Sequence, residues 1–131
     1  MYKFKKSFTL LELMLVVVIV GILATFAIPG YLGVKQRAEG RQASTQLKLI
    51  HTTEKIEFLE NDLYLACDGF AACNTALDLD LPDDTWIYSV ICSGGCNNDF
   101  TARAVNSTGT CAYSITKDTA MVGTAGCVYT P

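Results

Sequence analysis

The sequence has few of the residues that catalytic sites are built from. It contains one histidine, His51, and no serine or cysteine stands in a recognisable histidine–acid pattern. It also has no glycine-rich phosphate loop and no internal repeat. We therefore expect a protein that is not an enzyme and that has no cofactor.

Charge is missing from one stretch of the chain. No residue from Leu13 to Ile28 is charged, and only Gly21 and Thr25 interrupt its larger apolar side chains. The run from Phe8 to Ile28 would be about 31 Å long as a helix, which is enough to cross the hydrocarbon core of a bilayer. Lysines precede it at positions 3, 5 and 6, where the positive-inside rule places the cytoplasmic flank. The sequence thus predicts a single pass through the inner membrane with the rest of the chain exported.

Cysteine is absent from the first 66 residues, and all six cysteines follow: Cys67, Cys73, Cys92, Cys96, Cys111 and Cys127. An even number confined to the exported part indicates disulfides formed in an oxidising compartment. A zinc site is the alternative, but only the Cys92–Cys96 spacing falls in its range. Six cysteines permit 15 pairings, and the sequence does not choose among them, although short loops favour neighbours.

The exported part carries few basic residues. From Glu54 onward there are eleven acids against three bases, which argues against nucleic-acid binding. Four of these acids, Asp78, Asp80, Asp83 and Asp84, cluster in one segment. Oxygen ligands at this spacing are weak candidates for calcium, but the segment lacks the EF-hand pattern. We expect a solvated acidic loop without a bound metal.

Two patterns predict the fold of the exported part. Leu49, Thr53, Ile56, Leu59 and Leu63 follow helical spacing, with Leu47 and Ile50 beside them, and this predicts an apolar helix face that supports a sheet. Segments 86–91, 100–105 and 111–116 have strand composition, and 119–122 and 127–129 could add a short edge. The predicted fold class is α+β, with a long N-terminal helix packed on a small, disulfide-stabilised antiparallel sheet. We expect a membrane and assembly helix over 8–30, an amphipathic helix over 31–63, and a head over 64–131 that begins with a loop from 64 to 84.

Glu12 and Pro29 do not suit a plain membrane anchor. A carboxylate in a membrane helix costs roughly 2.5–3.5 kcal/mol at the centre and less near an end, so such a group needs a partner. If the chain were cut before Phe8, the new ammonium group of a neighbouring molecule could be that partner and could set the register. Pro29, followed by Gly30, predicts a kink at the end of the apolar run.

The segment Lys6-Ser7-Phe8-Thr9-Leu10-Leu11-Glu12-Leu13-Met14, with the apolar run to Ile28-Pro29, resembles the class III signal of type IV pilins and type II secretion pseudopilins. The resemblance implies that residues 1–7 are a leader peptide, which a prepilin peptidase removes between Ser7 and Phe8. It also implies N-methylation of Phe8, an assembly role for Glu12, and an assembly ATPase and a platform protein as partners. Ser7 stands where the family overwhelmingly has glycine.

The leading hypothesis is a prepilin that forms a homo-oligomeric, pilus-like filament outside the cell. The first alternative is a secretion pseudopilin in a periplasmic pseudopilus, and a remote one is a membrane-anchored ligand-binding module. The N-terminal segment could also be an uncleaved anchor, or a conventional secretory signal that is cut after Ala27. The cysteine-rich head favours the pilin.

Overall fold

The computed structural model describes residues 8–83 and 85–131, except for the side chain of Pro29. Its elements are α1 (Leu10–Asn61), β1 (Cys67–Asp68), α2 (Phe70–Leu77), β2 (Trp86–Ser93), β3 (Asp99–Asn106), β4 (Ala112–Thr116) and β5 (Val122–Gly123). The chain divides into two units, one ending at Lys35 and one beginning at Gln36. The first unit is helical from Leu10 to Lys35, whereas the second, here called the head, contains the rest of α1 and all five strands.

The five strands form one antiparallel sheet in chain order, β1-β2-β3-β4-β5. Its longest pairing joins β2 and β3 over eight residues, with Tyr88 opposite Ala104 and Val90 opposite Ala102. The hairpin turn between them contains Gly94 and Gly95, which both have positive φ, a conformation that glycine adopts without steric cost. The predicted α+β fold, with a long helix and a disulfide-stabilised antiparallel sheet, is confirmed.

The core lies inside the head. Alternate residues of the strands point inward and are buried, so that Tyr88, Phe100 and Tyr113 are fully covered. They join one apolar cluster with the helix residues Leu47 and Ile50. Large side chains of this kind contribute strongly to the apolar area that a domain buries on folding.

The helix face that packs into the core agrees with the predicted one only in part. Leu49 is 44% exposed, Ile56 49% and Leu59 83%, whereas Leu47 and Ile50 are completely buried. The buried face also carries the small residues Gly40, Ala43 and Ser44, and at Gly40 the side chains of Tyr113 and Tyr129 approach the helix backbone closely. The prediction that this half of the helix supports the sheet is therefore confirmed for Leu47 and Ile50 and wrong for Leu49, Ile56 and Leu59.

The sequence pattern predicts a continuous loop over 64–84, but residues 70–77 of this segment form α2. Asn74 stabilises the end of this helix, since its side chain bonds both the N–H of Leu81, at 2.7 Å, and the Leu81 carbonyl, at 3.0 Å. The predicted strands at 86–91, 100–105 and 111–116 match β2, β3 and β4 within a few residues. The edge strand β5 has two residues, and 127–129 is not a strand.

Candidate assembly surface

The first part of α1 presents only its own side chains to the surroundings. From Leu10 to Ile28 every residue is exposed, and the segment is long and apolar enough to span a membrane by length and composition. A soluble domain rarely exposes so large a contiguous apolar surface. These residues therefore need an apolar environment, either lipid or other helices.

Thr9 caps the start of this helix. Its Oγ1 accepts a hydrogen bond from the backbone N–H of Glu12 at 3.2 Å, and its carbonyl oxygen accepts one from Leu13 N–H, also at 3.2 Å. Glu12 thus lies in the first turn, where the positive end of the helix dipole favours a carboxylate. Over residues 8–83 and 85–131 no cation pairs with its side chain. An acid at this position is consistent with a partner on another molecule.

Two of the predicted site residues, Ser7 and Pro29, are not described in full. Ser7, with the rest of the proposed leader 1–7, lies outside the described residues. Phe8 is described and is exposed just ahead of the helix. The backbone at Pro29 is part of α1, and the kink expected there stays a prediction.

The same segment is similar to segments of known proteins. Residues 2–28 match the family described as the prokaryotic N-terminal methylation motif. The chain is 46% identical over 59 residues to the type IV major pilin protein PilA of Myxococcus xanthus, which covers 45% of this chain and 27% of that protein. It is 41% identical over 70 residues to the type II secretion system core protein G of Vibrio cholerae, covering 52% and 48%, and 50% identical over 52 residues to the type IV major fimbrial protein FimA of Dichelobacter nodosus, covering 37% and 32%.

Over this N-terminal segment the chain is similar to type IV pilins and type II secretion pseudopilins. It spans at most about half the length of these relatives. The relatives are pilin, fimbrial and secretion-system core proteins.

The pilin-like head holds its six cysteines as three neighbouring pairs, Cys67–Cys73, Cys92–Cys96 and Cys111–Cys127. The first joins β1 to α2, the second closes the β2–β3 turn, and the third ties the C-terminal segment to the start of β4. All six cysteines are used, so none is available as a thiolate ligand for zinc.

The C-terminal tail of the head crosses the helix at Gly40. The hydroxyl of Tyr113 donates to the backbone carbonyl oxygen of Tyr129 at 2.8 Å, and the Arg41 guanidinium lies 5.8 Å from the centre of the Tyr129 ring. A Cβ added at Gly40 would lie 2.8 Å from the Tyr113 hydroxyl and equally close to the Tyr129 Cβ. The sequence analysis assigned no role to Gly40, whereas in the fold its missing side chain leaves room for Tyr113 and Tyr129.

Glu54 is an ionisable residue of the core that the sequence analysis counted only as one more acid. It is fully buried on α1, where its Oε2 accepts the backbone N–H of Leu65 at 2.9 Å, whereas its Oε1 has no hydrogen-bond partner among the described residues. Burial, opposed by that hydrogen bond and assisted by the nearby Glu57, raises the pKa of Glu54 from 4.5 to about 7. Glu54 lies four residues after Ile50 and therefore on the same face of the helix, and this spacing is the sequence signal that could have indicated its burial.

The remaining polar candidates do not form a site. Within 8–83 and 85–131 no group of three or more histidine, cysteine or acidic side chains is arranged to hold a metal ion, so Asp78, Asp80 and Asp83 form no calcium cluster. Asp84 lies outside the described residues. His51 is half-buried, with its ring 5.6 Å from that of Phe100 and its Nε2 3.4 Å from the carbonyl oxygen of Lys117. This is the environment of a packing residue.

Proposed function

We propose that this protein is a prepilin, a structural subunit that polymerises through its apolar N-terminal helix into a type IV pilus-like filament. The observation that supports it best is the uncovered helix from Leu10 to Ile28, with Glu12 in its first turn. A plain tether would need the apolar length but would gain nothing from an acid at this position, which costs free energy in lipid.

The proposed sequence of events begins in the inner membrane with the head exported. A prepilin peptidase removes residues 1–7 by cutting between Ser7 and Phe8 and methylates the Phe8 amine. Subunits then leave the bilayer and their helices exchange contacts with lipid for contacts with one another. Because lipid is as apolar as the helix, this transfer gains little from the hydrophobic effect and needs external work. An assembly ATPase and a platform protein, as the family implies, would supply it.

Glu12 sets the register by pairing with the Phe8 amine of a neighbouring subunit. Removing one partner of a desolvated ion pair leaves the other charge uncompensated, so Glu12→Ala should insert in the membrane normally and reduce filament yield by at least about tenfold. The matched control is Thr25→Ala, which also removes a polar group from the apolar run but one whose hydroxyl bonds only the Ile22 carbonyl oxygen of its own helix. Normal filament yield from Glu12→Ala would refute the role of Glu12.

The decisive experiment on the native protein is intact-mass and N-terminal analysis. The proposal predicts a mature chain that begins with N-methylated Phe8. A chain beginning at Met1 would indicate an uncleaved anchor, and one beginning beyond Ala27 would indicate a secretory signal. Either result contradicts the proposal.

A pseudopilin of type II secretion is the second candidate, because core protein G of Vibrio cholerae is among the similar proteins. Deletion separates the two functions, since loss of surface fibres indicates a pilin and loss of exoprotein secretion indicates a pseudopilin. The remote alternative is an anchored ligand-binding module. It predicts that function survives replacement of residues 8–28 by an unrelated membrane helix, whereas polymerisation predicts that it does not.

A further inference from the structure

The three disulfides of the head differ in how deeply they are buried. Cys67 is 8% exposed and Cys73 is completely buried, and Cys111 of the third pair is 6% exposed. Cys92, near the end of β2, and Cys96, in the turn that follows, are both half-buried. Disulfides that solvent can reach are the ones that react with thiols, whereas buried disulfides are protected. Exposure therefore distinguishes the Cys92–Cys96 pair from the other two.

An open groove of about 660 Å³ lies beside this pair, and both of its cysteines line the groove. The lining also includes Ala66 and Asp68, from the segment that contains β1, and Ile91 from β2. Because β1 has only two residues and pairs with β2 at positions 89 and 90, the last residues of β2 extend beyond it. A small molecule in the groove is thus placed next to the disulfide.

The two cysteines are held differently by the backbone. Cys92 belongs to β2 and pairs with Phe100 of β3, whereas Cys96 follows the two glycines of the turn and lies outside the strands. The carbonyl oxygen of Cys96 accepts the N–H of Tyr64 at 2.6 Å. This bond fixes the backbone of Cys96 but leaves its side chain able to rotate once the disulfide is cut. We therefore expect Cys96 to carry an attached group and Cys92 to stay in place.

The groove is negatively charged. Among the described residues that line it, Asp68 is the only charged one, and its side chain is exposed. The head as a whole carries eleven acids against three bases from Glu54 onward. A field of this sign disfavours the approach of an anion and favours that of a cation. The groove therefore suits a thiol that has a positive charge near its sulfur.

We propose that the Cys92–Cys96 disulfide is a thiol-exchange site for cationic thiols, a property separate from polymerisation. The incoming thiolate attacks the sulfur of Cys96, and a new S–S bond forms while the bond to Cys92 breaks. The electron pair of the broken bond stays on the Cys92 sulfur, which leaves as a thiolate. This thiolate can attack the mixed disulfide in return and expel the incoming thiol. One disulfide replaces another in each step, so no further oxidant or reductant is needed.

Mass spectrometry after reaction with a small aminothiol tests the site. The full-length oxidised protein, in detergent, is mixed with cysteamine, quenched with N-ethylmaleimide at intervals and digested. The Cys92–Cys96 pair should open at least about tenfold faster than the other two pairs, with cysteamine on Cys96 and maleimide on Cys92. Another pair opening first, or all three opening together, would overturn the proposal, and cysteamine on Cys92 would contradict the assigned order.

Unfolding in urea is the control for this rate advantage. Because the advantage arises from burial in the fold, it should fall below about threefold when the protein is unfolded. An advantage that persists unchanged in urea would belong to the short loop alone and would overturn the role of the groove.

Two thiols of similar size and opposite charge, cysteamine and thioglycolate, test the charge preference, with rates given per thiolate. Asp68→Asn should lower the ratio of the cysteamine rate to the thioglycolate rate by at least about threefold. Asp80→Asn removes an exposed acid that does not line the groove, so it is the matched control and should leave the ratio unchanged. The same ratio in Asp68→Asn as in the native protein would overturn the preference for cationic thiols.

A matched pair of isoleucines tests the groove as the route to the disulfide. Ile87 is 53% exposed and Ile91 is 56% exposed on the same face of β2, but only Ile91 lines the groove. Ile91→Lys should slow the reaction with cysteamine by at least about threefold and Ile87→Lys should not, because only the first places a like charge in the groove. Protease resistance of the head checks that both variants fold. Equal rates in the two variants would overturn the proposal.

A basic peptide with one cysteine distinguishes two sources of a cationic thiol. A peptide that reacts faster per thiolate than cysteamine, and loses this advantage in Ile91→Lys, would identify a protein segment as the thiol. Equal rates would identify a free aminothiol. If neither opens the Cys92–Cys96 pair faster than the other two pairs, the proposal is refuted.

Discussion

The buried carboxyl of Glu54 makes the stability of the head depend on pH. The ordinary pKa of a glutamate side chain is 4.5, whereas the pKa of Glu54 in the folded head is about 7. The folded state therefore holds the proton more tightly than the unfolded state does. Between these two values the folded state therefore binds more protons, and the free energy of unfolding falls as pH rises. Each pKa unit corresponds to about 1.4 kcal/mol, so the loss between pH 4.5 and pH 7 from this group is about 3 kcal/mol.

Glu54→Gln removes the ionisation and keeps an oxygen to accept the Leu65 N–H. The variant should lose less than about 1 kcal/mol over the interval in which the native protein loses about 3, and it should be the more stable of the two at pH 8. Part of this gain in stability at pH 8 is offset, because the new amide N–H groups find no hydrogen-bond partner among the described residues at the site of Oε1. Both proteins still share every other titrating group, so the difference between their pH profiles isolates Glu54.

Trp86 provides the assay, since it is the only tryptophan and is buried in the head. Its fluorescence is followed during urea unfolding of the oxidised protein in detergent at several pH values. Glu60→Gln, an exposed carboxyl on the same helix, is the matched control and should follow the native protein. Identical pH profiles for Glu54→Gln and the native protein would refute the argument from burial.

Two further predictions concern the C-terminal tail. Gly40→Ala should destabilise the head by about 1–3 kcal/mol and displace Tyr129, because the new methyl group overlaps the tail, as measured by urea midpoint and by faster proteolysis of the C-terminus. Gly33→Ala, where nothing lies within 4 Å, should be neutral or stabilising by about 1 kcal/mol, and the same loss at both glycines would contradict the contact. Replacing Cys111 and Cys127 together by serine opens a loop with a sequence separation of 16 and should cost about 3 kcal/mol in the free energy of unfolding. An unchanged urea midpoint would contradict that.

The sequence predicted those parts of the fold that depend on local patterns. The apolar run to Ile28 predicts a long uncovered helix, because no charged residue follows Glu12 within it. The three main strands carry β-branched and aromatic residues between turn signals, and their assignment holds within a few residues. Alpha-helix 2 was missed because it has only eight residues and follows a glycine with no side-chain cap.

The buried face of α1 could not be chosen from periodicity alone, because the helix carries apolar residues on two faces. The stripe with Leu49, Ile56 and Leu59 has larger side chains than Gly40 and Ala43, so the spacing pattern favoured it as the buried face. The sheet instead meets the face on which Gly40 and Ala43 allow close approach. Packing in three dimensions decided this, since helical spacing does not report the shape of the opposing surface.

The sequence by itself determined that this chain has an apolar N-terminal helix with an acid in its first turn, followed by a disulfide-stabilised head, because hydrophobic length, charge position and cysteine placement are properties of the chain order. Only the tertiary structure decided which helix face is buried, that Gly40 supports the tail, and that Glu54 loses its contact with water. Each of these depends on segments far apart in sequence meeting in space, and so on contacts that no local pattern contains.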